Sequence, residues 1–343
     1  MTTLVTGATG FVGSHVARQL LAKGDRVRVL VRRSSNLRAL EGLTVERVEG
    51  DLNDSTSLEH ALDGVRRLFH VAADYRLWAR HPQEIYKTNV EGSRKLFEVA
   101  RRARVERVVY TSTVATIAVP TDGPLLPNEE TSAKLDQMIG HYKRSKFLAE
   151  LEAVKAAAAG APVIIVNPTA PVGPGDWKPT PTGRILVDFL NGRMPAYVDT
   201  GLNLVAVEDV AAGHLLAAEH GSIGERYILG ARNMTLKEIL EALSVITGRP
   251  RPRVRLPHAL ALTAGYADAL FARITGREPQ IPVEGVKMSR HRMFISSDKA
   301  ERELGYKASA VEPALAAAVR WYEEHDYVRG RARAKTATQA RAA

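Results

Sequence analysis

The chain opens on a regular alternation. Short runs of β-branched and other apolar residues recur through the first 170 positions, at 3–6, 27–31, 45–49, 67–71, 108–112 and 163–166. Between them lie longer segments of helical pattern, predicting helices that start near Phe11, Ser35, Ser55, Pro82 and His141. The stretch 89–102 brings Val90, Leu96, Phe97 and Ala100 near one stripe, as a helix packed on a sheet requires. Strands that alternate with helices in this way predict βαβ units and a parallel sheet.

After Pro168 the pattern changes. Residues 168–181 are dense in proline and glycine and predict a loop. Two more strands, 204–207 and 226–229, flank a helix at 209–219 and are expected to return to the first sheet. Residues 232–327 are mainly helical in pattern. The fold class is therefore α/β: a Rossmann-type, doubly wound parallel sheet over 1–175, and a smaller, mainly helical substrate lobe from 176–200 and 232–327. Pockets form between such lobes. Residues 328–343 read as a basic, disordered tail.

Composition changes this picture little. The chain has 343 residues, about two domains by length, and 45% hydrophobic residues, enough for a sizeable core. The absence of cysteine excludes disulfides, a thiol nucleophile and Cys-ligated zinc, and fits a cytoplasmic location. The histidines show no metal-ligand spacing, so no metal is expected. Residues 1–4 lack the charged head of a signal peptide. No window reaches the roughly 18 apolar residues of a membrane span. The richest, 256–274, is interrupted by Pro257, His258, Asp268 and Arg273; it reads as a lobe-core helix, with peripheral membrane contact as the alternative. The net charge is +10, but Arg329, Arg331, Arg333, Lys335 and Arg341 of the tail supply half of it. A solvated end explains that better than a nucleic-acid or anionic-membrane arm, so no nucleic-acid partner is expected.

The chemistry begins at Thr6-Gly7-Ala8-Thr9-Gly10-Phe11-Val12-Gly13, between the first strand and the first helix. Gly7 permits a tight turn, Gly10 lets the backbone approach a pyrophosphate, and Gly13 lets helix and strand pack closely. The helix N-terminus offers free N–H groups to that anion. Strand two ends on Val31, where a carboxylate would bond the ribose of NAD, and Arg32 and Arg33 follow. Arginine suits a 2′-phosphate, so NADP(H) is expected over NAD(H). Further on, Tyr142 and Lys146 stand four apart on one helix face. A nearby ammonium favours the phenolate of a tyrosine whose ordinary pKa is about 10.

The Gly-x-x-Gly-x-x-Gly spacing resembles the extended short-chain dehydrogenase/reductase superfamily. Gly50-Asp51-Leu52, Val71-Ala72-Ala73, Asn89-Val90-Glu91-Gly92, Tyr110-Thr111-Ser112-Thr113, Tyr142-x-x-x-Lys146, Asn167-Pro168-Thr169 and Gly173-Pro174-Gly175-Asp176 agree in order over about 1–327. The resemblance implies a catalytic set of Tyr142, Lys146 and Thr113, the last rather than Ser112 taking the family's Ser/Thr place. It implies that Asp51 and Leu52 flank the adenine and Ala72 lines the cofactor cleft. Thr9, Phe11, Val12, Val71, Ala73, Asn89, Pro168 and Thr169 complete the expected cofactor contacts, and Tyr75, Trp78, Asn167 and Asn203 the substrate contacts. The reaction implied is hydride transfer at a carbonyl or secondary alcohol.

Val114 and Ala115 follow Thr113 where sugar dehydratases carry Asp-Glu, and Leu202 stands near the arginine of nucleotide-sugar epimerases. The overall look, through 72–78, 203–214 and 224–230, is similar to dihydroflavonol 4-reductase-like proteins and, most nearly, to the hopanoid-associated sugar epimerases. That resemblance implies a role in hopanoid side-chain biosynthesis. Nucleotide-sugar epimerisation and a non-catalytic NADPH sensor remain the alternatives. The expected partner is a small-molecule or lipid-linked carbonyl substrate. Leu204, Val205 and Val207, with Tyr75, Trp78 and Trp177, are expected to wall an apolar cleft for it. The oligomeric state is left open, a homodimer being one fit.

Overall fold

The computed structural model describes residues 1–117, 126–131, 133–275, 277 and 279–328. The first half runs β1 (Thr2–Thr6), α1 (Phe11–Ala22), β2 (Arg26–Val31), β3 (Glu46–Glu49), α2 (Ser55–Leu62) and β4 (Arg67–His70). It continues through α3 (Gln83–Tyr86), a π-helical turn (Lys87–Gly92), α4 (Ser93–Arg102), β5 (Arg107–Thr111), α5 (Gly140–Ala158) and β6 (Val163–Pro168). The second half runs β7 (Ala170–Val172), α6 (Pro181–Leu190), β8 (Ala196–Val198), β9 (Gly201–Ala206), α7 (Val207–His220), β10 (Arg226–Leu229) and β11 (Arg232–Thr235). It ends with α8 (Leu236–Thr247), β12 (Val254–Leu256), α9 (His258–Thr275), α10 (Val283–Met288), β13 (Arg292–Met293), α11 (Asp298–Leu304) and α12 (Val311–Glu324).

Seven parallel strands form the main sheet in the order β10-β6-β5-β4-β1-β2-β3. Both faces are covered, so its strands are apolar without strict alternation. One face packs on α1 and α7 through Val16, Leu20, Val210 and Leu215. The other packs on α2, α4 and α5 through Leu58, Leu96, Phe97, Ala149 and Ala153. A separate core under α6, α8 and α12 includes Leu186, Leu190, Leu240, Leu315 and Tyr322.

Five expectations are corrected. The helix expected near Ser35 is only a single 3-10 turn, Arg38–Leu40, after an Asn36 side chain that bonds the Arg38 backbone N–H. The strand expected at 204–207 is β9, and it joins β7, β11 and β13 in a small second sheet rather than the main one; only β10 returns, paired with β6. The 168–181 loop contains β7. The 256–274 stretch forms β12's end and α9, but α9 buries only Gly265 and Ala272 and is no core helix. Of the expected tail, Val328 is buried against the small-lobe core, and 329–343 lie outside the described residues.

Candidate active site

The glycine turn joins β1 to α1 where the order of the main sheet reverses, between β1 and β4. Open α/β sheets bind ligands at this switch. Gly7 has φ +72°, and a Cβ on it would stand 2.6 Å from the backbone N and Cα of Ala72. A Cβ on Gly13 would overlap the Gly7 carbonyl. Gly10 donates its N–H to the Gly7 carbonyl at 2.9 Å and begins α1, with no side chain capping the helix. The first N–H groups of α1 are thereby left to an outside acceptor. A turn with no room for side chains and open donors fits a dinucleotide pyrophosphate. Thr9, Phe11 and Val12 are partly exposed there, and Val71, Ala72 and Ala73 face them from the end of β4. The Val71 and Ala72 N–H groups bond Thr6, at its carbonyl (3.2 Å) and its Oγ1 (3.3 Å).

Along the same strand-end edge, Arg32 and Arg33 follow β2, both exposed. Asp51, after β3, turns inward: its Oδ1 accepts from the backbone and side-chain N–H of Asn53, at 2.8 and 3.0 Å. Leu52 is buried and lies against Gly92. Pro168 and Thr169 close the edge at the end of β6, the Thr169 N–H donating to the Leu229 carbonyl.

Tyr142 and Lys146 rise from α5 toward the ends of β4 and β5. Burial pushes the Tyr142 phenol up to about 12, and its hydrogen bond with Thr113, just past β5, acts the other way. Lys146 does not hold the phenol down as the spacing led one to expect. Its ammonium donates to the Tyr110 hydroxyl (2.9 Å) and the Thr111 carbonyl (2.7 Å). Burial draws Lys146 itself down to about 7, with Glu150 acting against the shift. An ammonium has three donors, and these two contacts use two of them.

A second buried layer fixes these groups. Thr6 Oγ1 bonds His70 Nδ1 (2.8 Å), and His70 Nε2 bonds Ser93 Oγ (2.9 Å). Ser93 in turn donates to the Asn89 carbonyl at 2.6 Å. Burial and then Lys146 drive His70 down to about 3, so the imidazole is neutral. Asn89 accepts from the Asp74 N–H (2.7 Å) and donates to the Asp74 carbonyl and Ser145 Oγ (both 2.9 Å). It is a buried strut between the loop after β4 and α5.

The family model described as "NAD dependent epimerase/dehydratase family" matches residues 3–230. The chain belongs to this family. It is 47% identical to the "Putative dihydroflavonol 4-reductase" of Synechocystis sp., over 95% of each chain. It is 39% identical to "Sterol demethylase protein B" of Methylococcus capsulatus, over 96% of this chain and all of that one. A nucleoside-diphosphate-sugar epimerase structure from Pseudomonas aeruginosa superposes with a TM-score of 0.80 at 26% identity, covering 96% of this chain and 99% of that one. The chain is thus an NAD(P)-dependent enzyme of the extended short-chain dehydrogenase/reductase type, and among the described residues no helix is long and apolar enough to cross a membrane.

Within this family member the expected substrate residues divide. Tyr75 and Trp78 lie in the loop after β4: Tyr75 donates to the Lys178 carbonyl at 3.3 Å, and Trp78 is 38% exposed. Asn203 is buried, accepting from the Ala231 N–H and donating to Asn233, both at 2.9 Å. Leu204, Val205 and Val207 are fully buried and wall no cleft. Trp177 packs edge-on against Trp321 and His325, with Arg38 over its ring at 5.3 Å.

Asn167 belongs to a network that sequence reasoning missed. Glu150, two helical turns past Tyr142 on α5, is buried and accepts from Ser112 Oγ, from Thr116 Oγ1 (2.8 Å) and from Asn167 Nδ2 (2.8 Å). Its other oxygen pairs with Arg226 at 3.1 Å. Asn167 also donates to the Thr113 carbonyl at 3.1 Å. The network therefore positions Thr113. The signal was available: Tyr142, Lys146 and Glu150 recur every four residues on one helix.

Proposed function

We propose that this enzyme reduces a carbonyl to a secondary alcohol with NADPH. Tyr142 is the proton donor, Thr113 orients the substrate oxygen and Lys146 binds the nicotinamide ribose. The observation that carries the reading is the Tyr142 phenol, pushed up to about 12 while hydrogen-bonded to Thr113 beside the glycine turn. Such a phenol is protonated at neutral pH and so holds the proton that the reduced oxygen takes. The nicotinamide, when bound, supplies a hydride from C4. As the carbonyl carbon accepts that pair, its oxygen gains negative charge and takes the Tyr142 hydroxyl proton. Solvent then restores the phenol.

Arg32 and Arg33, with no carboxylate at Val31, favour the 2′-phosphate of NADPH. A nucleotide diphosphate needs cationic partners, since burying its charge unpaired costs several kcal/mol. Leu202 offers none and Arg292 is held by Asp199 at 3.1 Å; Arg290, exposed and without an ion pair among the described residues, is the small-lobe cation that a diphosphate would have to use. The substrate that fits is a carbonyl on a polycyclic or lipid-linked skeleton. The names of the Synechocystis and Methylococcus relatives agree with it, as would a role in hopanoid side-chain formation.

Oxidation of NADPH with a panel of steroid, triterpenoid and flavonoid ketones, beside calorimetry with UDP, dTDP and their sugars, tests this. Turnover with a polycyclic ketone is expected. Micromolar binding of a nucleotide sugar would restore the epimerase reading, and tight NADPH binding without any turnover would leave a sensor.

A further inference from the structure

A surface helix ordinarily turns its apolar side chains toward the core. In α9 they point outward. Its two buried residues, Gly265 and Ala272, are both small. Leu260, Tyr266, Leu270, Phe271 and Ile274 are 59, 52, 62, 59 and 77% exposed. Leu260, Thr263, Ala267, Leu270 and Ile274 follow one another at alternating three- and four-residue steps, with Phe271 beside them. They form one stripe along the helix, and no charged residue falls within it.

The chain segments before and after α9 carry most of the charge instead. Residues 249–292 hold nine Lys or Arg against Asp268, Glu278 and Glu284. Arg251 pairs with Glu241, and Arg255 and Arg292 share Asp199. Arg253, Arg273, Arg277 and Arg290 are exposed and have no ion pair among the described residues. A second copy docked across a two-fold axis would bring these cationic segments against themselves. An anionic bilayer satisfies both features: the acyl boundary takes the apolar stripe and the lipid phosphates take the arginines.

We propose that α9 is an interfacial helix that docks this enzyme on an anionic lipid bilayer, lying in the surface without spanning it. The opposite, buried face of α9, at Gly265, packs toward α10 and leads through it to the catalytic helix. α10 packs on α9, and the Glu284 side chain of α10 lies against Gly140, two residues before Tyr142. The docking holds whatever the substrate proves to be.

The test uses the full chain with vesicles of phosphatidylcholine, alone or with about a third phosphatidylglycerol. Phe271→Trp is expected to shift its emission to the blue on the anionic vesicles. The shift should survive removal of residues 329–343. The double variant L270E/F271E should keep its melting temperature, since both side chains are exposed, and lose about tenfold or more in vesicle binding. R273E/R277E should lose about fivefold for each charge removed. The proposal fails if Phe271→Trp shows no shift, if L270E/F271E binds as well as the parent, or if deleting the tail abolishes all binding. It also fails if the stripe forms a dimer in solution that L270E/F271E dissolves.

Discussion

Lys146 lies beneath the Tyr110 ring, its ammonium 4.5 Å from the ring centre and 2.9 Å from the hydroxyl. The Tyr110 hydroxyl and the Thr111 carbonyl, rather than Tyr142, take two of this lysine's donors. The buried ammonium is held near pKa 7.

A depressed lysine pKa means that the unfolded chain binds the proton more readily than the folded one between about pH 7 and 10.5. The cost of Lys146 is then full below pH 7 and relieved as pH rises toward 10.5. Lys146→Met should therefore stabilise the protein more at pH 6 than at pH 10, by on the order of 2 kcal/mol in urea titrations. Its cofactor affinity should fall at least about tenfold. Equal effects at both pH values would show that Lys146 is not the titrating group.

Cofactor affinity in the parent enzyme should also weaken as pH rises through about 7, because the third donor of Lys146 loses its charge. Lys146→Arg keeps the charge and should flatten that profile, read by fluorescence titration of NADPH from pH 6 to 9.

Tyr142→Phe removes the proton donor and leaves the glycine turn and Lys146 untouched. Turnover should fall by about a thousandfold or more, with NADPH affinity within about twofold of the parent. Retention of near-parental kcat would remove Tyr142 from the mechanism.

The exposed pair after β2 is expected to read the 2′-phosphate. R32A/R33A should weaken NADPH binding by about tenfold to a hundredfold and leave NADH nearly unchanged. An unaltered ratio of the two affinities would assign the pair to the surface alone.

Glu150→Ala leaves Arg226 without its acidic partner and Ser112, Thr116 and Asn167 without their acceptor. A loss of about 3 kcal/mol or more is expected from breaking a buried pair of this kind. It should be visible as a melting temperature several degrees lower, with kcat reduced through the loosened Thr113.

Most strands of the main sheet were legible because β-branched runs bounded by turn residues leave few other options, and the glycine turn and Tyr142–Lys146 because their spacing is tied to one geometry. β9 went to the wrong sheet because a strand buried on both faces carries no periodicity that names its neighbours. In α9 the apolar stripe was legible, but its direction was not: the same pattern describes a helix facing the core and one facing outward. Glu150 escaped notice because a lone acid in a helix ordinarily faces water; its four-residue step from Lys146 was the signal, and the fold adds the four partners that converge on it. Leu204, Val205 and Val207 were apolar as expected, yet they serve the core.

The π-helical turn at Lys87–Gly92 carries one more residue than an α-helical turn would. Each residue of an α-helix advances about 100° around its axis. The extra residue thus works as an angular offset between α3 and α4, setting the two ends of one continuous rod out of phase. In that phase Asn89 meets Asp74 and Ser145, and Tyr86 meets His141 beside Tyr142. Shortening the rod by a single residue would rotate one end away from the other, and the loop bearing Asp74 and Tyr75 would lose its tether to the helix that does the chemistry.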